Sequence, residues 1–277
     1  MPDAALIGGW SNYLERRAGR RLRKLGRPVV CAIDNPWLGR PRQWLGILAA
    51  PLMLRPMANV AWVAGESQAR FARYLGFSVV GQGLYCADID AYGCRTLPQD
   101  REQALLFTGR LVFNKGIDLL VDAYARYRRE VANPLELWVA GTGPLASLLD
   151  DQPGIRKLGF VQPALLPGLM SKVQALVLPS RLEHWGVVIH EAVSAGLPVL
   201  VSRNCMAAEA FVRDGANGYL YESSADALLR SLLAFHRLAP TQRQAMSRQS
   251  RELALTWTPD QQIDRFESLV AALPAPS

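Results

Sequence analysis

The sequence predicts an α/β fold, parallel sheets with helices on both faces, and two observations carry that prediction. Residues 104–222 repeat one pattern: a short apolar run, a Gly-containing turn, then a helical stretch. Strands that alternate with helices pair in parallel, and right-handed crossovers lay the helices on the faces of the sheet. Half of the 277 residues are hydrophobic, which suits one large or two medium domains with cores of their own.

Taken in order, AALIGG, RPVVCAID, NVAWVAG and SVVGQG are the candidate strands of the first 95 residues, where the alternation is less complete. In the second half ALLFTG (104–109), LELWVAGTGP (135–144), IRKLGF, QALVLPS and LPVLVS follow one another, with helical segments between them. Gly196 and Pro198 after VSAG mark a helix stop and the entry to a strand. Two helical stretches, ADALLRSLLAFHRL and 242–272, close the chain. The polar, Pro-containing TLPQDRE (96–102) divides it near residue 100, giving domains 1–100 and 101–277, the first shortened.

Composition narrows the function. Cys31, Cys86, Cys94 and Cys205 form no CxxC pair and read as reduced thiols of a cytoplasmic protein. The N-terminus lacks the pattern of a secretory signal. The most apolar segment, residues 45–64, is interrupted by Pro51, Arg55 and Pro56, so it reads as a buried helix leading into a strand rather than a membrane span. The net charge of +7 is concentrated in Arg16, Arg17, Arg20, Arg21, Arg23, Lys24 and Arg27, opposed locally by Glu15 alone. Such a helix is either a solvated face or a docking surface for an anionic membrane, an acidic partner or nucleic acid. Nucleic acid is not expected, because no interleaved aromatics or zinc motif accompany the basic run.

In an open parallel sheet, ligands bind beyond the carboxyl ends of the strands, and the conspicuous residues of the second half fall there. Gly109, Arg110 and Lys115 follow the first strand, Gly141 and Gly143 the second, Gly159 the third, and Glu183 the fourth. EHWGVVIHE then brackets an aliphatic run with Glu183 and Glu191. Spacing alone allows a solvated acid at each end of a short helix. If the helix begins near Gly186, its free N–H groups make an anion site, with Arg110 and Lys115 adding positive charge. Glu191, farther along, suits a neutral diol such as a ribose, and Glu183 a sugar on the other side of the phosphates.

R-x4-K after the first strand, GTGP after the second, and E-x7-E followed by EAVSAGLPVLVS and DGANGYLY resemble the retaining glycosyltransferases of family 4. The resemblance covers residues 104–222. It implies a GT-B fold, two Rossmann-like domains facing across a cleft, with the N-terminal one incomplete here. It also implies a nucleotide-diphosphate sugar as donor substrate, no cofactor and no metal, and a glycan or lipid-linked glycan as acceptor. By the same resemblance Arg110, Lys115 and Glu183 are the catalytic residues. Gly109, Gly141, Gly143, Gly159 and Glu191 bind the donor, together with the backbone of Gly186, Val187 and Val188. The chain is expected in the cytoplasm, peripheral at the membrane if Arg16–Arg27 docks there.

Some residues depart from the family pattern. The three histidines, His184, His190 and His236, all lie after residue 180, whereas family members usually carry a His and a Gly-rich loop in the first domain. GGW (8–10) and Asp34-Asn35-Pro36-Trp37 are the segments left there to face an acceptor. His184 is expected to be packed or solvated. Trp37, Trp44 and Trp62 are expected in the core, and Cys205 with Glu209 at a helix start. Asp88-Ile-Asp90 is a D-x-D, a metal motif in another class of glycosyltransferase, but a lone one is common by chance. A non-catalytic nucleotide-sugar-binding partner is the rival reading. A nucleotide-sugar epimerase is a third, disfavoured by the lack of a first-half His.

Overall fold

The computed structural model describes residues 4–9, 12–93 and 98–272. Trp10, Cys94 and the start of TLPQDRE lie outside them. In chain order the elements are β1 (Ala5–Ile7), α1 (Tyr13–Lys24), β2 (Val29–Ile33), α2 (Pro41–Met53), β3 (Val60–Val63), α3 (Glu66–Tyr74) and β4 (Val79–Gln82). Then come α4 (Ile89–Tyr92), β5 (Ala104–Thr108), α5 (Ile117–Glu130), β6 (Glu136–Ala140), β7 (Ile155–Gly159), α6 (Leu166–Met170) and β8 (Ala175–Leu178). The chain ends with α7 (Val187–Ser194), β9 (Val199–Ser202), α8 (Ala208–Phe211), β10 (Gly218–Tyr221), α9 (Ala225–His236), α10 (Pro240–Ala254) and α11 (Pro259–Ala271). Each apolar run expected to be a strand is one.

Two compact units result, Met1–Cys86 with Pro259–Ser277, and Ala87–Thr258. The expected division near residue 100 differs from this in two places: α4 belongs to the second unit and α11 to the first. An amphipathic helix reads the same in sequence whichever sheet it covers, so composition carries no sign of either placement.

The first unit holds a parallel sheet in the order β1-β2-β3-β4. Successive right-handed crossovers in one direction place all their helices on the same face. Accordingly Val29, Cys31, Ile33, Ala61 and Val63 pack with Leu22 of α1, Ala50 of α2 and Phe71 of α3. The alternate residues Val30, Val60 and Trp62 point to the other face, where Phe266, Leu269 and Val270 of α11 cover them. The Trp62 and Phe266 rings meet edge to face, centroids 5.3 Å apart. Helices on both faces, as expected, thus depend on the returning end of the chain.

The expectation of a buried helix over residues 45–64 is corrected. Met57, Ala58 and β3 are buried, but within α2 only Ala50 is, while Trp44, Leu45, Leu48 and Leu52 are exposed. The sheet needs one stripe of α2, and the sequence is apolar on more than that stripe. Trp62 is in the core as expected. Trp37 is half-buried, stacked on Phe71, and exposed Trp44 contacts its edge at 5.2 Å. Burial pushes the thiols of Cys31 and Cys205 up to about 12, so neither is a thiolate at neutral pH. Among the described residues no helix is long and apolar enough to cross a membrane.

The second unit is a six-stranded parallel sheet in the order β10-β9-β8-β5-β6-β7. Its four inner strands are buried almost throughout, as strands covered on both faces must be. From β5 the chain winds outward through β6 and β7, then returns to β8 on the other side of β5 and winds outward again. The connections after β5 and β8 therefore run in opposite directions along the sheet, and their carboxyl ends form the switch point at which such sheets bind ligands.

Replacing Phe266 by Ala removes the edge-to-face contact that closes the second face of the first sheet. Because the ring is only partly buried, the expected loss is about 2 kcal/mol, below the range for a fully buried Phe. Urea unfolding measures it, and an unchanged midpoint would contradict the role given to α11.

Candidate active site

Two loops meet at the crevice of the second unit. The loop after β5 carries Gly109, Arg110 and Lys115, and the loop after β8 carries Arg181, Glu183 and Gly186. They are joined first by backbone, Arg181 N–H donating to the Asn114 carbonyl at 2.8 Å. The Arg181 guanidinium then grips Asp118 with two parallel bonds of 2.7 and 2.6 Å, donates to the Phe113 carbonyl and lies 3.9 Å over the Phe113 ring. The bidentate contact with Arg181 holds the Asp118 carboxyl below the usual carboxylate range.

This clamp sets Lys115 against Glu183. The two form an ion pair, each side chain only 18% exposed. Gly109, beside the lysine stem, has φ 151°, a conformation that side chains rarely adopt, while a Cβ there would meet the Lys115 Cε at an ordinary 3.8 Å. Glu183 is fixed from behind, because its N–H donates to the Asn204 carbonyl and its carbonyl accepts from Met206 N–H. Arg110 is exposed on the same loop as Lys115.

The glycines have packing reasons to be glycine. A Cβ on Gly141 would lie 1.8 Å from the Gly109 carbonyl oxygen, and one on Gly116 would lie 2.2 Å from that of Pro179. Both are backbone atoms that cannot give way, so at these two positions the loops after β5, β6 and β8 approach one another as closely as they do only because the residue is glycine. Gly159 ends β7, its carbonyl accepting from Gly141 N–H at 2.7 Å, and Phe160 beside it is exposed.

The helix inside the E-x7-E stretch begins where the sequence places it. Gly186 is the N-cap of α7 with φ 95°, and the first-turn N–H groups of Val187 and Val188 have no partner within the helix. The other end of α7 is anchored. Buried Arg101 donates to the carbonyls of Ala195 and Gly196, both at 3.2 Å, opposite the negative pole of the helix dipole. Ser247 and Ser250 of α10 donate to the carbonyls of Gly196 and Leu197. His190 is buried in mid-helix, stacked on Phe211 at 4.1 Å. Its Nδ1 accepts from Ala87 N–H and its Nε2 donates to the Ala254 carbonyl, so the ring is held neutral. Burial drives its pKa down to about 4, with the Ala254 bond opposing.

Glu191, one residue on, is mostly buried, and burial raises its pKa against the hydrogen bond from the Tyr92 hydroxyl. Tyr92 is buried on α4, whose N-cap is Asp88, accepting from Ala91 N–H at 3.0 Å. The first acid of the D-x-D is therefore a helix cap. His184 is half-buried, and Glu209 is exposed in the first turn of α8. In the first unit, Asp34 accepts from the Tyr85 hydroxyl at 3.4 Å, and Trp37 N–H bonds the Ser67 carbonyl.

The second unit thus brings Lys115, Glu183, Arg110 and the start of α7 to one crevice. Arg181, Asp118, Arg101 and Tyr92, which hold them, were not read from the sequence. Their partners are 63 to 99 positions away in the chain or, for Arg101, 94 and 95, so no local motif marks them.

The fold is GT-B, with an Anabaena protein, HepE, in complex with UDP as a structural neighbour: TM-score 0.78 at 19% identity over 97% of this chain and 79% of that one. The pneumococcal O-GlcNAc transferase GtfA, in complex with UDP and GlcNAc, superposes with a TM-score of 0.70 at 19% identity over 88% of this chain and 52% of that one. In sequence, residues 102–237, which lie within the second unit, match the family of group 1 glycosyl transferases. A curated relative, an uncharacterized glycosyltransferase of Methanocaldococcus jannaschii, is 38% identical over 111 residues, 38% of this chain and 28% of that protein. The alpha-D-kanosaminyltransferase of Streptomyces kanamyceticus is 29% identical over 126 residues, 43% of this chain and 32% of that protein. The matched stretches span about a third of these curated relatives or less.

His190 makes stability fall with acidification. The imidazole binds its proton near pH 6.5 when unfolded and near 4 when folded, so above 6.5 neither state is charged. Between those values only the unfolded chain gains a proton, and its contribution is lost progressively, about 2 kcal/mol by about pH 5. Urea unfolding at about pH 7.5 and about pH 5 should show this loss in the wild type and less of it in His190→Gln. Equal losses in both would contradict a buried neutral ring.

Proposed function

We propose that the chain is a retaining, metal-independent glycosyltransferase of family 4. It moves a sugar from a nucleotide-diphosphate sugar to a glycan or lipid-linked glycan acceptor. The observation that carries this reading is the convergence of Lys115, Arg110 and the open N-terminus of α7 at the switch point between β5 and β8. Three sources of positive potential at one crevice suit a diphosphate. As the bond between sugar and phosphate breaks, negative charge grows on the departing diphosphate, and fixed cations stabilise that charge more than the ground state.

In this reading Arg110 and Lys115 take the phosphates, with the N–H groups of Val187 and Val188 and the bare Gly186 beside them. Gly109, Gly141, Gly143 and Gly159 line the donor's path, with Phe160 along the base. Glu191 accepts hydrogen bonds from the ribose, and its bond from Tyr92 supports that role by holding the carboxylate in place. The Lys115–Glu183 ion pair adds an exchange: when the diphosphate takes Lys115, Glu183 turns to the hydroxyls of the donor sugar. The acceptor belongs to the first unit, where Asp34 and Trp37 follow the carboxyl end of β2. A peripheral site at the cytoplasmic face of a membrane, reached through Arg16–Arg27, suits a lipid-linked acceptor.

Lys115→Ala should lower kcat at least about tenfold, a change that needs only ~1.4 kcal/mol of transition-state stabilisation. The assay is nucleotide release and product formation from a panel of UDP-, GDP- and ADP-sugars. Unchanged turnover in a folded variant would remove Lys115 from the chemistry. Donor binding without transfer to any acceptor would favour a nucleotide-sugar-binding partner instead.

A further inference from the structure

Helix α2 is apolar on both of its faces, the one that packs on the sheet and the one turned to solvent. Trp44, Leu45, Leu48 and Leu52 fall on one face at helical spacing and are 54, 67, 76 and 79% exposed. No acidic residue occurs from position 35 to position 65, so this surface carries no carboxylate of its own. Beside it lies α1, packed on the same face of the sheet, with Arg17, Arg20, Arg21, Arg23 and Lys24 exposed. The helices adjoin at their C-terminal ends. Arg20 reaches the Leu52 carbonyl at 3.5 Å, and a groove of about 580 Å³ is lined by Arg17, Arg20, Arg21 and Lys24 together with Met53 of α2.

We propose that α1 and α2 together form a membrane-docking face, α2 sinking its apolar stripe among the acyl chains of an anionic bilayer while α1 binds the headgroups. Charge selects this occupant. A second copy of the chain on the same face would bring two basic helices together, whereas an anionic bilayer offers both an apolar interior and negative charge at its surface. An amphipathic helix with a Trp/Leu face next to a Lys/Arg face lies in the plane of such an interface. Each basic residue near the surface adds to the attraction within a Debye length. The inference rests on the peripheral placement proposed above, and it makes α2, not the basic helix alone, the element that enters the membrane. The donor site plays no part in it.

The test is co-sedimentation of the whole chain with vesicles of phosphatidylcholine alone and of phosphatidylcholine with phosphatidylglycerol, with Trp emission read against bromine-labelled acyl chains. The wild type should bind the anionic vesicles at least about tenfold better, less so at high salt. Bromine should quench its emission, and Trp44→Phe should lose most of that quenching. Leu48→Glu/Leu52→Glu and Arg17→Glu/Arg21→Glu should each weaken binding about tenfold or more, since each removes one arm of the contact. No binding of the wild type to anionic vesicles, or bromine quenching that Trp44→Phe leaves unchanged, would overturn the proposal; the first needs no variant, and the second changes one exposed ring for another. Duplex DNA retained by the same arginines in place of vesicles would overturn it too. So would concentration-dependent dimerisation relieved by Leu48→Glu/Leu52→Glu. Nucleotide-induced thermal shifts report separately on the donor crevice, so failure of one reading is not mistaken for failure of the other.

Discussion

The closure of the β5 loop onto the β8 loop is the constraint on which the rest of the second unit depends. Strand order creates the crevice, but order alone would leave two independent loops. The backbone bond from Arg181 to Asn114, the Arg181–Asp118 fork and the stack on Phe113 turn them into one surface. Only then do Lys115 and Glu183, 68 residues apart in sequence, pair at low exposure. A charge pair held in this way is preorganised, and preorganisation makes charged groups useful when charge moves between ground and transition state.

Helix α7 is the second half of the same device. Its open end lies at the crevice, and its closed end is satisfied by Arg101, Ser247 and Ser250. Anchoring the carbonyl end with a buried guanidinium keeps the helix in one position along its axis. The stacked, neutral His190 fixes its rotation. With rotation fixed, the Glu191 carboxylate is held against the Tyr92 hydroxyl. A helix of this length would be marginal alone, so its geometry comes from what it is packed against.

What could be read in the sequence follows the range of the interactions. Strands appeared as apolar runs, and the start of α7 at Gly186 was legible because a helix start is a local event. Lys115, Glu183 and Glu191 stood out through local spacings, R-x4-K after β5 and E-x7-E after β8. Arg181 with Asp118, Arg101 with the end of α7, and Tyr92 with Glu191 were not, because each joins elements far apart in the chain. The placement of α11 on the first sheet was hidden for the same reason, since only topology shows that α1, α2 and α3 leave one face bare. Helix α2 misled in the opposite sense: its apolar content reads as core, and only the packing shows that a single stripe is used.

The central claim is that the crevice between β5 and β8 binds a nucleotide diphosphate, with Glu191 on its ribose. The most direct measurement is thermal unfolding with UDP, GDP or ADP, in the wild type and in Glu191→Ala. A nucleotide at about 100 times its dissociation constant should add ~2.7 kcal/mol of stability. For a chain of this size that is a rise in Tm of several degrees, roughly 5–10 °C. The account predicts such a rise with one nucleotide and its loss in Glu191→Ala. No rise with any nucleotide, or an equal rise in the variant, would contradict it.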